Sequence, residues 1–154
     1  MDYERLIIEY PHIKIIEDPT MPKGLGGIYI DKRIYINKLK NSYEKHGILA
    51  EELGHYETTY GDITDLNLVQ NQKLELVARR WGYEKVVSLE KLIECYELRK
   101  ITLEDVCVHI EITADYLKKS IDYYVDKYGL KKVYKGYEIT FDPLNIKPID
   151  TIKF

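Results

Sequence analysis

A change of sequence pattern near residue 41 divides the chain into a β-rich part and a helical part. Before this point, short runs of β-branched and aromatic residues lie between turn-forming prolines and glycines. After it, apolar residues recur at helical spacing over long segments. Two further β-rich runs follow the last helical segment. Strands, then helices, then a hairpin predict an α+β fold.

The first part of the chain predicts a small antiparallel sheet. Residues 3–9 have the pattern of a short helix, and residues 13–16 that of a short strand. Two β-rich runs within residues 28–36 flank Asp31 and Lys32, as the strands of a hairpin flank its turn.

From Ser42 onward the pattern predicts five helices in succession. Four of them begin at residues that cap helix N-termini well, namely Asn41 or Ser42, Ser88, Thr102 and Thr113. Gly129 is typical of the position just beyond a helix. The expected helices run from 42 to about 60, from about 68 to 87, from 88 to about 99, from 102 to about 111, and from 113 to about 128. Gly61 and Asp62 are expected to end the first of them.

The β-rich runs at 132–134 and 137–141 lie around Gly136 and predict a short C-terminal hairpin. Pro143 and Pro148 argue against a further long strand, because proline cannot donate a hydrogen bond to a neighbouring strand.

Length and composition are those of a globular protein with one core. The chain has 154 residues, of which 45% are hydrophobic and 32% charged. We expect one compact unit, with a main core over residues 1–100 and a helical extension with the hairpin over residues 101–154.

The net charge of -3 argues against nucleic-acid binding, and no apolar run approaches the roughly 20 residues that span a bilayer. Without an N-terminal signal pattern, a cytoplasmic location with Cys95 and Cys107 as reduced, buried thiols is expected.

One carboxylate lies in an apolar stripe of the helix at 42–60. At about 100° per residue, Glu52 falls between Ile48 and Leu49, while Glu51 and His55 lie on one margin of the same stripe. A carboxylate there costs several kcal/mol unless it is paired, protonated or bound to an ion. Glu52 therefore requires a compensating partner.

Glu51 and His55 lie four residues apart, so both side chains can reach one metal ion. Glu52 would then lie beside that ion and take a proton from a bound water, as the glutamate of an H-E-x-x-H helix does. The sequence here is E-E-x-x-H, with Glu51 in place of the first histidine. A solvated helix with two surface glutamates and one surface histidine is the alternative.

The next helix offers a third carboxylate. Its apolar stripe consists of Leu74, Val77, Ala78 and Trp81. Glu75 lies on the edge of this stripe, and the small residues Ala78 and Gly82 let another helix approach beside it. Because a catalytic zinc site takes three protein ligands and one open position, Glu75 is the natural third ligand. The alternative is an exposed Glu75 that pairs with Arg79 one turn away.

These residues together resemble the ImmA/IrrE family of metallo-endopeptidases, in particular small members from phages and integrative elements of Gram-positive bacteria. The resemblance covers about residues 3–142. The matching segments are residues 48–56, 58–59, 75–85, 89–92 and 122–129.

The resemblance implies a zinc-dependent endopeptidase that cuts a helix-turn-helix repressor of its own element, with residues 1–100 as the metallopeptidase-like core. It assigns His55 to the second motif ligand, Glu52 to the general base and Glu75 to the downstream acidic ligand. Glu51 departs from the family pattern. Two carboxylates and one imidazole make a Zn²⁺ site roughly neutral, which weakens the Lewis acid and also suits Mn²⁺ or another divalent ion.

Two tyrosines are candidates for stabilising the oxyanion in such a site, Tyr56 and Tyr83. The departure at Glu51 keeps a second hypothesis open, a non-catalytic antirepressor or toxin–antitoxin component that binds the repressor without cutting it. A third hypothesis is a DNA-binding regulator, since residues 102–128 have helix-turn-helix rhythm. The acidic balance of the chain argues against direct contact with nucleic acid.

Overall fold

The computed structural model describes residues 2–59 and 68–149. Over these ranges the chain has the predicted α+β fold, with six helices and two three-stranded sheets. The helices are α1 (Asp2–Ile8), α2 (Ser42–Thr58), α3 (Leu68–Val86), α4 (Leu89–Glu97), α5 (Leu103–Ile110) and α6 (Ala114–Tyr128). The strands are β1 (Lys14–Asp18), β2 (Gly27–Ile30), β3 (Arg33–Asn37), β4 (Lys131–Tyr134), β5 (Tyr137–Phe141) and β6 (Leu144–Pro148).

The N-terminal sheet is mixed, so the prediction of an all-antiparallel sheet was wrong for one strand. Its order is β1-β3-β2, in which β2 and β3 form the predicted antiparallel hairpin and β1 pairs parallel to β3. The reason is the long connection between β1 and β2, which carries the chain past the place that β3 later fills. β3 then enters between the two earlier strands, and β2 lies at an edge of the sheet.

The helices start where the sequence predicts. Asn41 and Thr102 complete capping boxes, in which the cap side chain and the residue three positions later satisfy each other's backbone N–H groups. Ser88 and Thr113 accept hydrogen bonds at the starts of α4 and α6. The break expected at residues 61–62 lies outside the described residues.

The C-terminal sheet has a third strand, which the sequence analysis did not expect. β6 pairs antiparallel with β5 and forms an edge of the sheet. Pro143 precedes the strand and Pro148 ends it. Because an edge strand needs only half of its N–H groups for pairing, a proline at its end removes no required donor.

Both sheets and the helices share one buried apolar cluster, which extends from Tyr3 in α1 to Ile146 in β6. Cys95 and Cys107 are buried, free thiols, as predicted. Within residues 2–59 and 68–149, no helix has the length and apolar character that crossing a membrane requires.

A very close contact between α2 and α3 determines how the two helices face each other. A Cβ atom on Gly54 would lie 2.2 Å from the carbonyl oxygen of Ala78, so only glycine fits there. The buried face of α3 accordingly consists of Ala78, Gly82, Tyr83 and Val86. The prediction that Val77 belongs to the apolar stripe of this helix was wrong, because Val77 is 44% exposed. Small residues rather than branched ones make this contact because the backbones approach so closely.

Substituting Gly54→Ala is expected to lower the free energy of unfolding by roughly 2 kcal/mol, because overpacking against the Ala78 backbone outweighs the better helix propensity of alanine. Urea denaturation measures this change. Gly24→Ala is the matched control, since a Cβ there meets nothing within 4 Å. Equal stability of the two variants would contradict the close contact.

Candidate metal centre

The structure brings the three predicted ligands together at the junction of α2 and α3. The Nε2 atom of His55 lies 3.2 Å from Oε1 of Glu75. One potential ligand atom from each of Glu51, His55 and Glu75 lies within 4.8 Å of the others. All three side chains are half-buried, so the group is supported by protein and still open to solvent.

The chemistry of these three side chains fits a divalent cation. Zn²⁺ binds imidazole nitrogen and carboxylate oxygen at about 2.0–2.2 Å, which places tetrahedral ligand atoms roughly 3.4 Å apart. The ligand atoms would therefore need to approach one another by up to about 1.4 Å, a movement that side-chain torsions can provide. Their half-burial leaves room for a fourth, non-protein ligand. The roles of Glu51, His55 and Glu75 as ligands and of Glu52 as base stay predictions.

Arg79 pairs with Glu51 rather than with Glu75. Its Nε atom lies 3.3 Å from Oε1 of Glu51, across the junction of the two helices. Glu75 is left to face His55, so the structure does not adopt the sequence-based alternative of a Glu75–Arg79 pair. Burial raises the pKa of the Glu51 carboxyl, Glu75 adds to this rise, and Arg79 opposes it.

Glu52 is buried beside this group, as its place in the apolar stripe predicts, with 9% of its surface exposed. Burial raises the pKa of Glu52 to about 8, and the carboxylates of Glu51 and Glu75 contribute to this shift. The backbone N–H of Tyr29 in β2 donates a hydrogen bond to the Glu52 carboxyl group. A proton and this hydrogen bond therefore compensate for the burial of the carboxyl group.

Strand β2 lies directly over Glu52. A Cβ atom on Gly27 would lie 3.2 Å from Cγ of Glu52 and 2.7 Å from Cγ2 of Ile48. Because Gly26 and Asn37 are hydrogen-bonded partners, the alternation of an antiparallel pair turns the N–H of Tyr29 away from β3. The edge of β2 that does not pair with β3 therefore faces the candidate centre.

An open cleft of about 960 Å³ adjoins the centre between α2, α3 and α6. Glu51, Arg79 and Tyr83 contribute to its lining. The ring of Tyr83 packs against Tyr116 and Tyr123, with centroids 5.3 Å and 5.9 Å away. Of the two predicted oxyanion candidates, Tyr83 is thus the one in the cleft wall.

Tyr56, the other oxyanion candidate, lies in an aromatic cluster beside the centre. Its hydroxyl is 2.9 Å from Nε2 of His12, and its ring makes edge contacts with Tyr10 and Tyr29. The hydroxyl is therefore already paired in this structure.

Sequence reasoning did not find the contact of Arg79 with Glu51 or that of the Tyr29 backbone with Glu52. Arg79 lies one turn after Glu75 on the same helix, so its proximity to the ligand set was recognisable. Its choice of Glu51 depends on where α2 lies. The Tyr29 contact involves only the backbone, and no side-chain pattern reports it.

Two carboxylates and an imidazole beside a buried carboxyl, carried on two adjoining helices, are the parts of a metallopeptidase site. The family model for the IrrE N-terminal-like domain, peptidase family M78, matches residues 8–121. The chain therefore belongs to this family, the ImmA/IrrE metallopeptidases. Searches of curated proteins and of solved structures gave no match.

Substituting Glu75→Ala is expected to weaken Zn²⁺ binding by at least about tenfold if Glu75 is the ligand that the sequence predicts. Isothermal titration of the chelator-treated protein measures the affinity. Glu104→Ala, which removes an exposed carboxylate at the start of α5, is the control and should bind as the wild type does. Unchanged affinity of the Glu75 variant would remove Glu75 from the ligand set.

The raised pKa of Glu52 predicts a pH-dependent stability of the metal-free protein. The folded state holds a proton on this carboxyl up to about pH 8, whereas the unfolded chain loses it near pH 4.5. Stability therefore decreases as pH rises between these values. Relative to Glu52→Gln, the wild type should lose roughly 2 kcal/mol of unfolding free energy between pH 5 and pH 7. Parallel urea denaturation curves in EDTA measure the difference, and a constant difference across this range would contradict it.

Proposed function

We propose that this protein is a metal-dependent endopeptidase that acts in the cytoplasm. Its proposed substrate is a helix-turn-helix repressor of a phage or mobile element, whose cleavage would derepress that element. The observation that carries the proposal is the convergence of Glu51, His55 and Glu75 beside the buried carboxyl of Glu52. Membership of the ImmA/IrrE family supports the peptidase chemistry.

Glu51, His55 and Glu75 would hold the metal ion, which we propose to be Zn²⁺. When bound, such an ion polarises the scissile carbonyl and makes a water molecule more acidic. Two carboxylates in the set also suit Mn²⁺ or another harder divalent ion. Metal analysis of the protein purified without chelator distinguishes these ions.

Glu52 is the proposed general base, and later the acid that returns a proton to the leaving amine. In the metal-free protein its raised pKa keeps it protonated at neutral pH. A cation held by the neighbouring side chains favours the ionised form of Glu52 and so prepares it to accept a proton. Burial of Glu52 lowers the stability of the metal-free fold. The same burial keeps the pKa of Glu52 near neutral pH, where a general base is most effective.

The exposed edge of β2 supports binding of an extended peptide. The backbone carbonyl and N–H of Tyr29 both point away from β3, so a substrate segment could add to the sheet as a further strand if the N–H exchanged its bond to Glu52 for one to the peptide. Gly27 keeps this strand close to Glu52. A peptide bound there would have a backbone carbonyl near the proposed ligands.

Tyr83 and Tyr56 are proposed to stabilise the oxyanion, with Tyr83 favoured by its place in the cleft wall. Tyr56 would first have to exchange its hydrogen bond with His12.

The second candidate function is an antirepressor or toxin–antitoxin component that binds the repressor without cleaving it. Glu51 in place of the first motif histidine favours this candidate, because a formally neutral site would polarise a scissile carbonyl less strongly. Under either candidate the partner is a repressor protein, and no direct contact with nucleic acid is proposed.

Incubation with the helix-turn-helix repressor encoded beside the gene, followed by mass spectrometry, tests the proposal. The wild-type protein with Zn²⁺ should cut the repressor at a defined bond. Glu52→Gln should reduce the rate at least about 100-fold while it retains Zn²⁺ binding, since general-base catalysis contributes about that much.

Glu104→Gln is the control and should cleave as the wild type does. Undiminished cleavage by the Glu52 variant would remove Glu52 from the mechanism. A stable complex with an intact repressor would favour the antirepressor candidate instead.

A further inference from the structure

The candidate centre carries more negative charge than three ligands and a base would in an H-E-x-x-H site. Glu51, Glu52 and Glu75 bring three carboxyl groups to one place, with His55 as the only imidazole. Two histidines and one carboxylate would leave a site with a divalent ion positively charged. With Glu51 in place of a histidine, the same site is formally neutral.

Arg79 places a positive charge beside Glu51, the proposed ligand that stands in place of a histidine. Its guanidinium lies on α3, one helical turn beyond Glu75, and reaches across to Glu51 on α2 with a separation of 3.3 Å. Arginine keeps its charge at every pH below about 12. The contact uses one oxygen of Glu51, and a carboxylate has a second oxygen with which it can bind an ion.

The neighbouring cations have other partners. The guanidinium of Arg80 lies 5.8 Å from the ring centroid of Tyr123, and Lys119 pairs with Asp115 at 3.0 Å. In the described part of the chain, Arg79 is the only arginine or lysine that forms an ion pair with one of the three carboxylates at the centre. The positive charge that faces Glu51 therefore comes from a single residue, Arg79.

We propose that Arg79 is a positioning residue for the metal ligand Glu51, and that the two side chains act together in the place of one histidine. Arg79 offsets the charge that Glu51 adds and holds one of its oxygens, so that the other oxygen is directed at the ion. This inference rests on the proposed function, because it requires that Glu51 binds a metal ion.

Two effects of Arg79 on an ion in the site oppose each other. Its positive charge repels the ion, whereas its contact with Glu51 orders the ligand and relieves repulsion among the carboxylates. Arg79 is 49% exposed, so water and salt screen its action on a more distant ion. The contact with Glu51 is direct, at 3.3 Å, and only 31% of that side chain is exposed, so water screens it less. The ordering effect therefore dominates, and removal of Arg79 weakens metal binding.

Zn²⁺ affinities of purified variants, measured by competition with a chromophoric chelator, test this inference without any peptidase assay. Arg79→Gln should weaken binding at least about tenfold, as loss of a residue that orients a ligand does. Arg79→Lys, which retains the charge, should recover most of that loss. Arg80→Gln is the matched control on the same helix and should change the affinity less than about twofold.

A double-mutant cycle with Glu51→His gives the decisive comparison. With a histidine at position 51, removal of Arg79 should leave Zn²⁺ affinity unchanged or raise it, because an imidazole needs no charge compensation. Circular dichroism and thermal unfolding of each variant show that the fold is retained.

An equal effect of Arg79→Gln with Glu51 and with His at position 51 would overturn the inference. So would unchanged or tighter binding of Zn²⁺ by the Arg79→Gln single variant. Both results leave the proposed peptidase intact, since the wild type would still bind the ion. Failure of the wild-type protein to bind Zn²⁺ would overturn the inference and the proposed zinc site together.

Discussion

The close contact of α2 with α3 is the interaction on which the rest of the site depends. Gly54 lets the backbone of Ala78 approach to a distance that no side chain would permit. This approach places Glu75 beside His55 and Arg79 beside Glu51. Gly54, which has no side-chain chemistry of its own, thus determines whether the candidate ligands meet, because they lie on two separate helices.

The electrostatics of the site follow from the number of carboxyl groups that it brings together and from the burial of one of them. Three carboxyl groups lie close together, and the most buried of them, Glu52, is stable in the metal-free protein only as the acid at neutral pH. A proton, the N–H of Tyr29, the guanidinium of Arg79 and a bound cation are different ways to offset the same excess of negative charge. Folding, protonation and metal binding are therefore linked at this place.

The order of strands in the N-terminal sheet has a functional consequence. Since β3 enters between β1 and β2, the hairpin strand β2 becomes an edge and lies over Glu52. An antiparallel meander in chain order would have placed β2 in the middle of the sheet, with both edges occupied. The mixed sheet instead directs the edge of β2 that does not pair with β3 at the candidate centre, and the proposed binding of an extended peptide depends on this edge.

The sequence by itself determined what depends on neighbouring residues. Helix starts at residues such as Asn41 and Thr102 were predictable because a cap bonds only to the next turn, and the burial of Glu52 followed from the periodicity of one helix. Tertiary structure alone decided the direction of β1, the presence of β6 and the partner of Arg79. These features depend on segments distant in the chain, and local patterns carry no information about which of them meet.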